Sequence, residues 1–137
     1  MIDKFDGEFA FLSNFYPCTF CDGKLTFSST EHYFQAMKTL DMIERINISQ
    51  AHTPGKSKRM GRSIKLRPDW EDIKLSIMET ALHQKFADPE LAEKLKATGN
   101  EELVKGNWWH DTYWGVCEGV GENNLGKLFM KIRSELS

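Results

Sequence analysis

Ser28-Ser29-Thr30-Glu31-His32-Tyr33-Phe34-Gln35-Ala36-Met37-Lys38-Thr39-Leu40 decides how the chain is read. Its Ser-Ser-Thr-Glu start is a helix N-terminus signal, and Ser28 and Glu31 have the spacing of a capping box, in which the carboxylate reaches back to the N-cap amide. Tyr33, Ala36, Met37 and Leu40 then recur at helical spacing and form an apolar face. At about 100° per residue, Glu31, Gln35 and Lys38 lie within about 60° of one another on the opposite side. Two accounts fit that polar side. It is the solvated face of a surface helix, or it is a carboxylate and an amine one or two turns apart, suited to acid/base or nucleophilic work if something covers them.

Upstream of this helix the first 27 residues look extended. Phe9, Phe11, Phe15 and Tyr16 are aromatic, and Asp22-Gly23 is a hairpin turn dipeptide followed by the alternating Leu25-Thr26-Phe27. Downstream the pattern is helical. Thr53-Pro54 is an N-cap with proline at the first helical position, opening a short helix expected to stop near Gly61. Asp69 is read as the cap of the strongest helix, where Trp70, Ile73, Ile77, Ala81 and Leu82 make one broad apolar face running to Phe86. Asp88-Pro89 opens another that Gly99 ends. After Asn123 the last helix places Leu125, Leu128, Phe129, Ile132 and Leu136 on one side. The expected architecture is α+β: a single domain over residues 1–137, mainly helical, with a small antiparallel sheet near the N-terminus.

Composition narrows the classes of function. The chain has 137 residues, 40% of them apolar and 12% aromatic, which is enough for one core and argues against disorder. Eighteen basic residues against twenty acidic ones give a net charge of −2, so no global field draws in DNA or anionic lipid, and any anion site is local. No apolar run is long enough to span a bilayer and the first residues lack a signal-peptide pattern, so the expectation is a cytoplasmic protein that does not bind membranes. Cys18, Cys21 and Cys117 are an odd number and read as reduced thiols. The CxxC pair, Cys18 and Cys21, has no second ligand pair, and His32, His52, His83 and His110 are scattered. No metal or other cofactor is expected.

Three further clusters suggest binding. Lys56, Lys58, Arg59, Arg62, Lys65 and Arg67 fall in a stretch without one acid, which fits a solvated basic helix or a phosphate site. Trp108-Trp109-His110-Asp111-Thr112-Tyr113-Trp114-Gly115 holds three of the four tryptophans and has no helical or strand period, as in a wall on which a planar base stacks. Gly121-Glu-Asn123-Asn-Leu-Gly126-Lys127 spells GxxxxGK. It fails as a P-loop because Leu128 replaces the magnesium-binding hydroxyl and no βαβ frame surrounds it. It still offers a glycine-rich helix entry whose amides could meet a phosphate or ribose oxygen.

Taken in order, these clusters resemble the NADAR family, also called YbiA-like, over essentially the whole chain. The matching stretches are Phe11-Leu-Ser-Asn14-Phe15-Tyr-Pro17, Glu31-His-Tyr-Phe-Gln35-Ala-Met-Lys38, Gly61-Arg62, Arg67-Pro-Asp69-Trp70-Glu71, Lys85-Phe86, Thr98-Gly99, Asp111-Thr-Tyr-Trp114-Gly115, and Gly121 to Met130 with Arg133 beyond. The resemblance implies an N-glycosidase that hydrolyses the C1′–N bond of a phosphorylated, nucleotide-like substrate: an ADP-ribosylated guanine, free or in nucleic acid, or a ribosylamine phosphate of the riboflavin pathway. It implies catalytic roles for Glu31, Lys38 and Asp111. It also implies substrate contacts by Asn14, Phe15, Gln35, Arg62, Trp70, Trp114, Gly115, Asn123 and Gly126. The alternatives are a non-catalytic binder of ADP-ribose or NAD-type nucleotides and, on the basic stretch alone, a nucleic-acid-binding protein.

Overall fold

The structure, a computed structural model, describes residues 1–136. Backbone contacts divide the chain into two compact units, Asn14–Lys85, and Met1–Ser13 with Phe86–Ser137. The architecture is mainly helical with one small antiparallel sheet near the N-terminus, as the sequence leads one to expect.

In the Asn14–Lys85 unit, strands β1 (Phe20–Cys21) and β2 (Thr26–Phe27) pair antiparallel. The turn between them is made by Asp22, whose carboxylate accepts from the Lys24 and Leu25 amides, and by Gly23 at φ +97°, a left-handed conformation that favours glycine. Phe20, Phe27 and Tyr33 meet edge to face or tilted, with ring centroids 5.2–5.8 Å apart, which joins the hairpin to helix α1 (Thr30–Ala36).

Two expectations about α1 need correction, and the choice left open for its polar side is closed. Its N-cap is Ser29, whose hydroxyl accepts from the His32 amide, so Ser28 and Glu31 do not form the capping box. The helix ends at Ala36, which leaves Lys38 in the following turn and Leu40 63% exposed. Most importantly, all seven residues of α1 are buried, so it has no solvated face. Helices α2 (Met42–Ser49), α3 (Pro54–Ser63) and α4 (Trp70–Lys85) all pack on it. The sequence reading passed over α2, although Asp41 caps it with two side-chain bonds, to the Ile43 and Glu44 amides. Thr53 caps α3 as expected, but Gly61 lies inside that helix and does not end it. Along α4 the fully buried positions are Trp70, Met78, Ala81, Leu82 and Lys85, while Ile73 and Ile77 are half-buried. The carboxylate of Asp69 is held by Arg67, with Nε–Oδ1 at 2.7 Å.

In the other unit, Gly7–Leu12 is a 3₁₀ helix, which corrects the extended reading of that stretch. Helix α5 (Pro89–Lys96) is capped by Asp88, and α6 (Asn124–Leu136) buries Leu125, Leu128, Phe129 and Ile132 as its spacing predicts. Phe129 takes Phe5 and Phe86 edge to face, at 5.7 and 5.9 Å. Arg133 donates to the Thr98 hydroxyl at 2.8 Å, tying α6 to the end of α5.

Lys85 is 1% exposed, with its ammonium 5.8 Å from the Tyr16 ring centroid. Burial lowers its pKa from 10.5 to about 8, slightly opposed by the nearby Cys18. Between those values the unfolded chain carries a proton that the folded chain lacks, so raising the pH through this window favours folding. Relative to Lys85→Met, the wild-type free energy of unfolding should therefore climb by roughly 3 kcal/mol between pH 8 and pH 10.5. Denaturant titrations at a series of pH values measure the difference, and parallel pH profiles for the two proteins would contradict it.

Candidate active site

Seven of the residues singled out from sequence lie in the Asn14–Lys85 unit: Glu31, Lys38, Asn14, Phe15, Gln35, Arg62 and Trp70. Asn14 is 7% exposed and fixes the start of α1. Its carbonyl accepts from the Glu31 amide at 3.1 Å, and its side-chain oxygen accepts from the Thr30 hydroxyl at 2.9 Å. That satisfies helix-start donors that would otherwise be stranded in the interior. Glu31 is 8% exposed, and one of its oxygens accepts from Gln35 Nε2 at 2.5 Å.

Lys38 is half-buried, with Nζ 5.7 Å from the centroid of the Phe34 ring. Phe34 in turn packs edge to face with Trp70, at 5.0 Å, so the tryptophan backs the ring on which the lysine lies. The backbone here is held by Arg67, whose amide donates to the Lys38 carbonyl at 2.9 Å and whose guanidinium reaches the Met37 carbonyl. Burial lowers the pKa of the Lys38 ammonium below the ordinary lysine value. The Glu31 carboxylate opposes this, and the positive charges of Lys58 and Arg62 reinforce it. The group is therefore shifted towards its neutral, nucleophilic amine.

Helix α3 supplies those two cations. Positions 58 and 62 are one turn apart on the same side, and Gly61 between them lies against Gln35. Arg62 is exposed and Lys58 half-buried. Phe15, 44% exposed, lies near Gly55 in the first turn of the same helix. Sequence reasoning placed Lys58 in a basic stretch but did not single it out. The signal was available, because Thr53-Pro54 fixes the helical register and that register groups 58, 61 and 62.

Asp111, Trp114, Gly115, Asn123 and Gly126 lie in the other unit. Asp111 Oδ1 accepts from the Tyr113 and Trp114 amides, at 3.2 and 3.0 Å, so the carboxylate shapes its own turn. Its Oδ2 stands 4.0 Å from Lys105 Nζ. Trp114 is half-buried and meets Tyr113 edge to face at 4.8 Å. Trp108 and Trp109, in contrast, are 82% and 49% exposed and pack against each other.

The entry to α6 differs from a set of amides waiting for a phosphate. The amides of Glu122, Asn123, Asn124 and Leu125 donate to the carbonyls of Thr112, Gly115, Tyr113 and Trp114. The Asn123 side chain donates to the Leu103 carbonyl and accepts from the Lys105 amide. A Cβ at Gly115 would strike the Lys105 carbonyl, and one at Gly126 the Leu103 carbonyl. These three residues join the Asp111–Trp114 turn to the start of α6 through backbone contacts that leave no room for a side chain at either glycine. Among the described residues no group of His, Cys, Asp and Glu side chains is arranged to hold a metal ion, and no helix is long and apolar enough to cross a membrane.

With this geometry in view, the chain can be placed. A NADAR domain matches residues 3–137, and the chain belongs to that family. Among individual relatives it is 42% identical to the N-glycosidase YbiA of Escherichia coli over 120 residues, covering 85% of this chain and 74% of that protein. The NMR structure of E. coli YbiA superposes with a TM-score of 0.86 at 36% identity, over 99% of this chain and 86% of that one. A riboflavin biosynthesis protein of Vibrio vulnificus is 36% identical over 135 residues, and the chain spans only 36% of its length.

The lowered pKa of Lys38 has a direct chemical consequence. In pH-dependent acetylation read by peptide mass spectrometry, the midpoint for Lys38 should fall below that of the exposed lysines as a group, and Arg62→Ala should move it upward. Coincident midpoints in the wild-type protein would contradict the electrostatic account.

Proposed function

We propose that this protein is an N-glycosidase that cleaves the C1′–N bond of a phosphorylated, nucleotide-like substrate, with Glu31 and Lys38 as the reacting pair. The observation that carries the reading is a buried carboxylate beside a half-buried lysine pushed towards its free amine, with two further cations, Lys58 and Arg62, bearing on the same lysine. Family membership and the N-glycosidase activity of the E. coli relative support the reaction class.

Cleavage must stabilise positive charge at C1′, give a proton to the departing base nitrogen and deliver water to the sugar. Glu31 is suited to move the proton. Lys38 can act by attacking C1′ of the ring-opened sugar. Its nitrogen then forms a bond to C1′ as the base leaves with a proton, and water hydrolyses the resulting imine to return the amine and an aldehyde sugar. Arg62 and Lys58 are suited to hold phosphate. Asp111 and Trp114, in the other unit, remain candidates for an acid/base and a stacking surface on the family resemblance alone.

Two substrates separate the finer readings: an oligonucleotide carrying ADP-ribosylated guanine and a pyrimidine ribosylamine phosphate. Mass spectrometry should detect free base released from one of them. Glu31→Gln should cut that release at least about 100-fold while leaving binding nearly intact. A chain that only binds ADP-ribose-type nucleotides would bind and release base from neither, and that result would end the glycosidase reading.

The lysine's role has its own test. Borohydride added during turnover should trap a covalent sugar adduct on the wild-type protein but not on Lys38→Ala. Full turnover with no adduct would remove the covalent role and leave Lys38 an electrostatic one.

A further inference from the structure

Gln35 is 3% exposed, and its side-chain amide is bonded at one end only. Nε2 donates to Glu31 Oε2 at 2.5 Å, whereas Oε1 has no partner among the described residues. A stranded buried acceptor is rare in folded proteins, because an apolar side chain of the same size fills the space without that penalty. The orientation of the amide has a simple cause. Turned about, it would set a carbonyl oxygen against a carboxylate, so the nitrogen faces Glu31 and the oxygen is left over.

The oxygen fits only because of a second residue. Gly61 sits inside α3, where glycine is the poorest ordinary helix former and alanine the best. A Cβ on Gly61 would collide with Gln35 Oε1 and stand 2.9 Å from its Cδ. The helix thus carries a poor helix former at the point where the amide needs space. Among the described residues Glu31 Oε1 takes no donor, and it is not among the atoms sealed from solvent. One oxygen of the carboxylate is pinned and the other is left open.

We propose that Gln35 is a positioning residue that fixes the Glu31 carboxylate through its buried amide, and that Gly61 is required because it leaves room for that amide. This rests on the reading of Glu31 as a reacting group. It gives Gln35 a part that needs no contact with substrate, unlike the role the family resemblance implies.

The test compares wild type with Gln35→Met, Gln35→Ala, Gly61→Ala and the Gln35→Ala/Gly61→Ala double variant, reading base release and thermal midpoint. Gln35→Met keeps the volume and loses the donor. It should fold and lower kcat about 10- to 100-fold, with KM within about threefold. Gly61→Ala should lower kcat comparably and also lower Tm. In the Gln35→Ala background the same substitution should cost no further kcat, and it should raise Tm by a few degrees, because the obstacle is gone and alanine favours the helix. Wild-type kcat in Gln35→Met, a loss confined to KM, or Gly61→Ala effects that are the same in both backgrounds would overturn the proposal. Glu31→Gln run in parallel separates the two claims. Full activity there removes the catalytic reading of Glu31, whereas an inactive Glu31→Gln beside a fully active Gln35→Met removes only the positioning role. The reversal in the sign of the Tm change tests the Gln35–Gly61 fit even if neither substrate is turned over.

Discussion

A helix buried on all sides must find a partner for each polar group it carries, and that requirement organises the Asn14–Lys85 unit. Helix α1 encloses Thr30, Glu31, His32 and Gln35. Thr30 bonds to Asn14 at 2.9 Å. The two ring nitrogens of His32 meet the Ser29 hydroxyl, at 2.7 Å, and the Ala51 carbonyl, at 2.9 Å. A carbonyl can only accept, so Nε2 carries a proton towards Ala51. Each bond pins a different part of the chain to the helix: the segment before the hairpin, the helix cap and Ala51, two residues past the end of α2. The Glu31–Gln35 bond is the one whose far end meets a neighbouring helix without a hydrogen bond.

The lysine is held in a different way. Lys38 lies past the end of α1, and nothing in helical periodicity fixes where its side chain goes. Its place is set by Arg67, which takes the carbonyls of Met37 and Lys38 while its guanidinium holds Asp69 just before α4. The Arg67-Pro68-Asp69-Trp70 stretch therefore acts as a bracket: the arginine fixes the backbone of the turn, and the tryptophan backs the Phe34 ring on which the ammonium lies.

The sequence made visible the features governed by local rules. Thr53-Pro54, Asp88-Pro89, Asp22-Gly23 and the spacing of Leu125, Leu128, Phe129 and Ile132 all lead to the elements found. It misled where tertiary packing overrode the local pattern. The polar side of α1 left two accounts open, a wet face or a covered carboxylate and amine; α3 covers it, and no single-helix pattern reports what a later helix will do. Glycines misled similarly. Gly61 looked like a stop signal and Gly126 like part of a phosphate cradle, yet both are places where another chain segment comes too close for a Cβ. Glu31 and Lys38 stood out as candidates because the predicted helix put them on one side, although α1 ends before Lys38 and the turn held by Arg67 places that residue. Lys58, contributed by the neighbouring helix, needed the register of α3 as well.

The burial of α1 also separates two kinds of change over evolutionary time. Its residues are all buried, so drift there disturbs the packing that holds Glu31 and Gln35. The cations of α3 at positions 58 and 62, and Phe15 beside its first turn, are half-buried or exposed and bear little of the core. A lineage can alter the reach and charge of those positions while the buried Glu31 carboxylate and the half-buried Lys38 amine stay in place. Change accumulates more easily at such a rim than within a helix that every neighbour constrains.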